Sequence, residues 1–296
     1  MDFNAVTQRM FALYGQERYD EAITLLEEAA AEFPDRDQGI TFWRACLLGV
    51  SGRAAESLRT LEDGLDRDLW WAPSMLGDTD FDSVRSLPGW SQVLERCRAT
   101  TEVFKVGWTP HPRAMPAKDP VMGTLVTLHG AGANPDDFGQ RWREATPERW
   151  TVIVPEGPSP TSSEAREWPR DHPDSESVAQ LEGLELTQPV VLAGWSQGCG
   201  VACWWAWNGL VETAGLLLVG PGYLDWWTPD LPRKIPTYIF IGEQDFLLPG
   251  CLEHQRLLEQ VGVPVYLDLR PGLGHQMPDD LDLVISAALD WIADIS

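Results

Sequence analysis

The sequence predicts an α/β protein: a doubly wound, mostly parallel sheet that follows a small all-helical domain. Apolar residues in the first hundred positions recur at helical spacing, whereas from about Thr101 short β-rich runs alternate with helical stretches. Several of these runs are continuously apolar, which is expected of parallel strands covered on both faces. The length of 296 residues suits two unequal domains, and we predict them at residues 1–100 and 101–296.

The helical part carries an apolar stripe of small and large residues that ends in a helix-stopping proline. The stripe consists of Tyr19, Ala22, Leu26, Ala29 and Pro34. It resembles the second helix of a tetratricopeptide repeat, and residues 45–61 resemble a looser copy in which Ser57 replaces the usual alanine. One good and one degraded repeat are fewer than the roughly three that a free-standing solenoid needs. The resemblance keeps open a protein partner for this region.

Seven runs in residues 101–296 have the composition of strands. They are Glu102–Val106, Val121–Leu128, Thr151–Val154, Val190–Ala193, Gly215–Val219, Thr237–Ile241 and Val263–Leu269. The proline-rich stretch Thr109–Pro120 lies between the first two runs, and we predict it to be a loop rather than an interdomain linker.

The chain is strongly acidic, with 22 Lys and Arg against 45 Asp and Glu and a formal net charge of −23. Both predicted domains are acidic, so most of the surface would repel a nucleic-acid backbone or an anionic membrane. The first residues lack the pattern of a secretory signal, and no apolar stretch reaches the roughly 18 residues that a membrane span needs. We therefore expect a cytoplasmic protein with no nucleic-acid partner and no membrane span.

The five cysteines argue against a disulfide framework, because their number is odd and no secretion signal accompanies them. Cys199 and Cys203 have the spacing that places two side chains on one helix face. No histidine or further cysteine stands nearby at ligand spacing, so packing explains this pair better than metal binding. We expect neither a metal nor an organic cofactor.

The strongest functional signal is the G-x-S-x-G motif GWSQG at residues 194–198, which directly follows the strand-like run at 190–193 and opens a predicted helix. Such a turn strains the backbone of its central residue, and only glycine two positions before and after leaves room for it. The turn would lift the Ser196 hydroxyl above the sheet, beside the positive end of the helix. Ser196 is therefore the candidate nucleophile.

A serine nucleophile needs a base, and the base needs a group that orients it. In this fold class the three follow in the chain order serine, acid, histidine. Asp245 comes just after the strand-like run TYIFI, and His275 comes after the next run, before the last helix. We predict a triad of Ser196, Asp245 and His275. Glu243 lies in the same loop as Asp245 and is kept as the alternative acid.

The Gly-rich sequence LHGAGA at residues 128–133 follows an early strand. Attack on an ester carbonyl places negative charge on its oxygen, and two backbone N–H groups must already face that oxygen. We predict the N–H groups of Ala131 and Gln197 as these oxyanion-hole donors. His129 is a tempting second catalytic histidine, but we predict that its ring braces the loop.

The motifs HGAGA, GWSQG, IGEQD and GLGH, in this order, resemble those of the phospholipase/carboxylesterase family of small α/β-hydrolases, which includes acyl-protein thioesterases. The resemblance covers roughly residues 121–296 and implies an α/β-hydrolase fold, with the triad and oxyanion hole on the residues named above. Trp168 is similar to a tryptophan that commonly follows the second hydrolase strand in that family. The chain departs from the pattern at Ala131, where the family has a bulkier residue, at Cys199, where it has glycine, and in its helical front part.

Fifteen tryptophans are several-fold above ordinary usage. Trp226 and Trp227 follow the run at 215–219, where a short loop would overhang the serine, so we name them with Trp168 as candidates for the substrate pocket. The sequence as a whole predicts a serine hydrolase that cleaves carboxylic esters or thioesters. An acyl transferase on the same triad, or a scaffold whose helical domain binds a partner, remains the alternative.

Overall fold

The computed structural model describes residues 3–170, 173–222, 224 and 233–295. The chain forms two compact units. The helical unit consists of Met1–Trp108 together with Pro160–Glu164, and the sheet unit consists of Thr109–Ser159 and Ala165–Ser296. The helical unit therefore includes five residues, Pro160–Glu164, that lie in the sequence between the two segments of the sheet unit.

The helical unit contains five α-helices in its described part. They are α1 (Phe3–Gly15), α2 (Tyr19–Glu32), α3 (Asp37–Val50), α4 (Ala54–Asp66) and α5 (Trp90–Gly107), with short 3₁₀ helices at Pro34–Arg36, Met75–Gly77 and Thr79–Phe81. The predicted stripe on α2 is buried at Ala22, Leu26 and Ala29. Ser57 on α4, at the position of the expected alanine, is buried, and its hydroxyl donates to the carbonyl of Ala45 at 2.7 Å.

The run Glu102–Val106, predicted to be a strand, is instead the end of α5. The hydroxyl of Thr101, one residue before the run, donates to the carbonyl of Cys97 at 2.8 Å, a bond within the helix. Val103 and Val106 are 75% and 90% exposed, so the β-branched residues of the run are not covered as a central strand would be. The helical register set from Trp90 onward outweighs the local β propensity. The predicted boundary after residue 100 therefore falls inside a helix, and the first unit runs on to Trp108.

Seven strands of the described residues form one sheet in the order β1-β3-β2-β6-β7-β8-β9. Their bounds are β1 (Arg113–Met115), β2 (Gly123–Leu128), β3 (Trp150–Val154), β6 (Val190–Trp195), β7 (Gly215–Val219), β8 (Thr237–Gly242) and β9 (Val265–Arg270); β4 (Ser159–Pro160) and β5 (Arg166–Glu167) have two residues each. β1 pairs antiparallel with β3, and the other neighbours are parallel. β1 lies in the proline-rich stretch that was predicted to be a loop.

Helices cover both faces of this sheet, as the continuously apolar strands predict. α7 (Gly198–Trp207) and α8 (Leu248–Gln260) pack on one face, and α6 (Pro135–Ala145) and α9 (Leu281–Ile295) pack on the other. Alternate strand residues serve the two cores: Leu128 belongs to the first and Leu125 to the second. The doubly wound α/β fold is confirmed. Within the described residues, no helix combines the length and apolar composition needed to cross a membrane.

Candidate active site

Ser196 lies in a strained turn between β6 and α7. Its φ of 50° is in the left-handed region, which a residue with a Cβ rarely adopts. A Cβ at position 194 would lie 2.5 Å from the backbone nitrogen of Cys199, and one at Gly198 would collide with the carbonyl of Leu128. Glycine is therefore required on both sides, as the motif predicts, and the turn leaves the Ser196 side chain only partly buried.

Three side chains from the ends of three parallel strands form one hydrogen-bonded chain. Nε2 of His275 lies 3.1 Å from the Ser196 hydroxyl oxygen, and Nδ1 of His275 lies 2.8 Å from Oδ2 of Asp245. A carboxylate only accepts, so Nδ1 carries the proton and Nε2 is left to accept from the serine. This is the geometry that a base needs to remove the hydroxyl proton. The structure thus brings together Ser196, His275 and Asp245.

Asp245, rather than the alternative Glu243, contacts His275. The Asp245 side chain is 1% exposed, and its Oδ1 accepts the backbone N–H of Leu247 at 2.9 Å. Both oxygens therefore have a donor, which holds the carboxylate in place and offsets part of the cost of burying its charge. Glu243 lies on the surface.

The two predicted oxyanion-hole residues come from different segments: Gln197 directly follows Ser196, and Ala131 follows Gly130, at which an added Cβ would lie 3.4 Å from the Cβ of Ser196. Within the described part of the chain, no acceptor is bonded to the backbone N–H of Ala131 or of Gln197. The Gln197 side chain is fixed by two bonds to the backbone of Trp168, at 3.0 Å from its N–H and 2.9 Å to its carbonyl. Gln197 thus anchors the start of α7, where unpaired N–H groups favour negative charge.

His129 braces the loop that carries Ala131. Its Nδ1 bonds the carbonyl of Gly130 at 2.8 Å, and its Nε2 accepts the N–H of Gly157 at 2.9 Å. Burial lowers its pKa to about 4, so the ring is neutral at neutral pH. With both nitrogens bonded to backbone and no surface exposed, this ring has no free atom for catalysis.

Trp168 is fully buried at 0% exposure, so its ring is not open to a substrate. Its Nε1–H donates to the carbonyl of His129 at 2.8 Å, and its ring lies 5.1 Å from that of His129. We therefore find Trp168 supporting the loop rather than lining a pocket. The other two pocket candidates, Trp226 and Trp227, lie outside the described residues.

A buried ion pair behind the His129 loop was not predicted from the sequence. The Glu156 carboxylate has no exposed surface and accepts from Arg166 at 2.8 Å, and Arg113 lies 3.0 Å away. The backbone N–H of Arg166 donates to the carbonyl of Ala133 at 2.9 Å, so this pair is tied to the end of the loop. Glu156, Arg166 and Arg113 lie in three separate segments, and no spacing in the sequence reveals their contacts.

The five cysteines are free and buried. Burial raises the pKa of the Cys199, Cys203 and Cys251 thiols, which keeps them protonated and unreactive. Among the residues that the structure describes, no group of three or more His, Cys, Asp or Glu side chains is arranged to hold a metal ion.

Two aromatic rings beside His275 were also missed. The indole of Trp195 stacks on the imidazole with ring centres 4.8 Å apart and an angle of 21° between the planes. The ring of Phe246 lies 4.9 Å from the imidazole at 58°. Trp195 is the second residue of the GWSQG motif and Phe246 follows Asp245, so each stands next to a triad residue in the sequence.

Comparison with known proteins identifies the fold. Residues 2–104 match the family model described as A/B hydrolase-like, N-terminal domain. An uncharacterized protein from Bacillus cereus ATCC 10987 is 18% identical with a TM-score of 0.52, over 99% of this chain and 100% of that one. Esterase PE8 is 20% identical with a TM-score of 0.52, over 62% of this chain and 100% of the esterase. No curated protein matches the sequence.

These likenesses show an α/β-hydrolase fold with a helical N-terminal region, as the sequence predicts. The resemblance of residues 19–61 to tetratricopeptide repeats is not confirmed.

Proposed function

We propose that this protein is a serine hydrolase that cleaves carboxylic esters or thioesters through an acyl-enzyme. The observation that carries the proposal is the bonded chain of Ser196, His275 and Asp245, in which the serine occupies a strained turn. A strained residue is retained where the surrounding structure enforces it, and such positions cluster at active sites. The hydrolase fold adds support, because its strand ends are where these three side chains stand.

In the first step the Ser196 oxygen attacks the carbonyl carbon of the substrate. Its proton passes to Nε2 of His275, and the buried Asp245 carboxylate stabilises the resulting imidazolium. The carbonyl oxygen becomes an oxyanion, which the N–H groups of Ala131 and Gln197 would stabilise. The bond to the alcohol or thiol then breaks, and His275 returns the proton to that leaving group.

In the second step water attacks the acyl-enzyme. His275 removes the proton of the water, and the tetrahedral intermediate again places its charge at the oxyanion site. Collapse of this intermediate releases the carboxylic acid, and His275 protonates Ser196 again. Both steps use only side chains and backbone groups of this chain, so the proposal names no cofactor.

A fluorophosphonate probe tests the nucleophile directly, because it modifies a serine only where a base activates the hydroxyl. We expect one label per chain, located on Ser196 by peptide mass spectrometry and absent from Ser196→Ala. Ser162 is a matched control, since it is a buried serine outside the triad. Labelling that persists in Ser196→Ala but is lost in Ser162→Ala would refute the mechanism.

A panel of p-nitrophenyl esters with increasing acyl length, together with matched thioesters, then tests the substrate class. Esterase PE8 shares the fold, so esters are the first substrates to try. Product in which an added alcohol carries the acyl group would favour the acyl transferase. An intact protein that neither reacts with the probe nor hydrolyses any ester would favour the scaffold.

A protein partner for the helical unit and a cytoplasmic location remain parts of the proposal. The acidic surface that would repel nucleic acid and anionic membranes is consistent with a location in the cytoplasm. Fractionation of cells expressing the full chain tests the location, and crosslinking in the same cells tests the partner.

A further inference from the structure

The imidazole of His275 has little free surface. Its Nδ1 edge meets Asp245, its Nε2 edge meets Ser196, and the indole of Trp195 stacks on the ring. Among the residues that the structure describes, Phe246 also lies beside the ring, with 4.9 Å between ring centres. Phe246 is 74% exposed, whereas the triad residues beside it are largely covered.

The turn after β8 sets this arrangement. The Asp245 side chain points inward and accepts the N–H of Leu247, which closes a tight turn over a single residue. Phe246, between the two, is therefore directed outward beside the imidazole. An exposed apolar residue alone needs no explanation. An exposed aromatic ring that contacts the proposed catalytic base does need an explanation. The bond that orients the acid also holds this ring in place.

From these contacts we infer that Phe246 forms the leaving-group subsite and that it binds esters whose alcohol or thiol part carries an apolar, preferably aromatic, group. The inference rests on the proposed function. When the tetrahedral intermediate collapses, the bond between the carbonyl carbon and the leaving group breaks and the proton moves from Nε2 of His275 to the leaving atom. That atom must come within hydrogen-bonding distance of Nε2. Its substituents then extend beside the imidazole, where Phe246 stands.

The acyl part of the substrate takes a different direction. Its carbonyl oxygen must face the N–H groups of Ala131 and Gln197, which lie on the β2 loop and at the start of α7 rather than on the turn after β8. Phe246 should therefore discriminate among leaving groups and not among acyl chains. Once the acyl-enzyme has formed the leaving group is gone, so deacylation should not depend on what Phe246 had bound.

Two isomeric esters separate these directions. Benzyl acetate carries its aromatic ring on the leaving group, and methyl phenylacetate carries it on the acyl part. Methyl acetate is the common reference, and its leaving alcohol has an acidity close to that of benzyl alcohol. For each enzyme the measured quantity is kcat/KM for an aromatic ester divided by kcat/KM for methyl acetate, so general damage to catalysis cancels.

We expect Phe246→Ala to lower the benzyl acetate ratio about three- to tenfold, the range that one aromatic contact supplies. The methyl phenylacetate ratio should stay constant. Phe246→Tyr keeps the ring and should retain both ratios, and Leu252→Ala, which removes an exposed apolar side chain from α8, should leave both unchanged.

An unchanged benzyl acetate ratio in Phe246→Ala would overturn the subsite, as would an equal fall of both ratios or an equal fall in Phe246→Tyr. The proposed function fails in a different way. If wild-type chain hydrolyses none of the three esters and does not react with the fluorophosphonate probe, the serine hydrolase itself is refuted, and the subsite with it.

Discussion

The His129 loop (residues 129–134) and the His275 loop (residues 271–280) both follow a parallel strand of the sheet unit, but they use their imidazole rings in opposite ways. The His129 ring is buried, and both of its nitrogens are bonded to backbone groups. The His275 side chain is 20% exposed, and its nitrogens are bonded to a carboxylate and a hydroxyl. The same side chain thus closes one loop and, in the other, has the bonding partners that the proposed base requires.

The bonding partners of the two rings distinguish a structural histidine from the proposed base. Burial lowers the pKa of His129 to about 4, and its backbone partners supply no group that can react. His275 has a buried acid on one side and a hydroxyl on the other, which is the arrangement of a general base. Position after a strand is common to both residues, so the bonding partners carry the distinction. Substitutions in the two loops should therefore have separable effects.

The largest effect on activity should come from substitution of His275 or of Ser196. We expect His275→Ala and Ser196→Ala each to lower kcat for a p-nitrophenyl ester by at least ~10⁴-fold, because members of a triad act as a unit. The free energy of unfolding should change little, because loss of the partly exposed His275 ring lets water donate to Asp245 in its place, and Ser196→Ala removes only a partly exposed hydroxyl. Urea unfolding of each variant checks this. A near-normal kcat in His275→Ala would refute His275 as the base.

The acid that holds His275 should rank next. Asp245→Asn keeps the shape but loses the charge that fixes the tautomer and stabilises the imidazolium, so we expect kcat to fall by ~10³- to 10⁴-fold. Glu243→Gln is the matched control, because Glu243 lies in the same loop but on the surface, and kcat should stay within about twofold. If Glu243→Gln were the more damaging change, the acid would have been assigned to the wrong residue.

Substitution of His129 should affect stability more than activity. His129→Ala removes a buried ring and leaves the N–H of Gly157 without its acceptor, so we expect the free energy of unfolding to fall by about 3 kcal/mol. The loop that holds Ala131 would then be less well fixed. Activity should decrease by at most ~10²- to 10³-fold, which is the loss that removal of one oxyanion donor causes. Measurements of kcat/KM and of urea unfolding should therefore separate the two variants, because His129→Ala should lose mainly stability and His275→Ala should lose mainly activity. A His129→Ala variant of normal stability would contradict a bracing role.

The sequence predicts much of this comparison because the relevant signals are local. The apolar runs marked six of the strands, since burial on both faces leaves a continuous pattern in the chain. The glycines around Ser196 marked the turn, since a close backbone approach excludes any side chain. The chain order serine, acid, histidine then indicated Asp245 and His275 as acid and base, and the structure brings these two residues together with Ser196.

The features that the sequence did not predict depend on contacts between distant segments. The strand β1 exists because it pairs with β3, and its proline-rich surroundings conceal that pairing. Trp168 is a residue type that often lines substrate pockets, and only the fold shows that its ring is buried against His129. The exposed position of Phe246 likewise follows from the turn that Asp245 makes. Residue type alone does not say which side of a loop a side chain will occupy.

The smallest effect that we expect is a pH dependence of stability that comes from the His129 ring. His129 is held neutral with a pKa of about 4, whereas a histidine in the unfolded chain has a pKa near 6.5. Between these two values the unfolded state binds a proton that the folded state does not. The contribution of the neutral ring to stability is therefore complete above pH 6.5 and is lost as the pH falls toward 4. Each pH unit inside that window costs up to about 1.4 kcal/mol.

This prediction is measured as a difference between two proteins, because many carboxylates titrate over the same range. The free energy of unfolding of wild type and of His129→Ala is determined in urea at pH 7, 6 and 5. Other titrating groups, including the buried His254 whose pKa burial also lowers to about 4, are present in both proteins and cancel. The advantage of wild type should be largest at pH 7 and should shrink by about 2 kcal/mol at pH 5, because only wild type retains the ring that resists protonation. A constant advantage from pH 7 to pH 5 would mean that the His129 ring can accept a proton in place. The contrast between a ring closed by backbone and a ring open to proton transfer would then no longer hold.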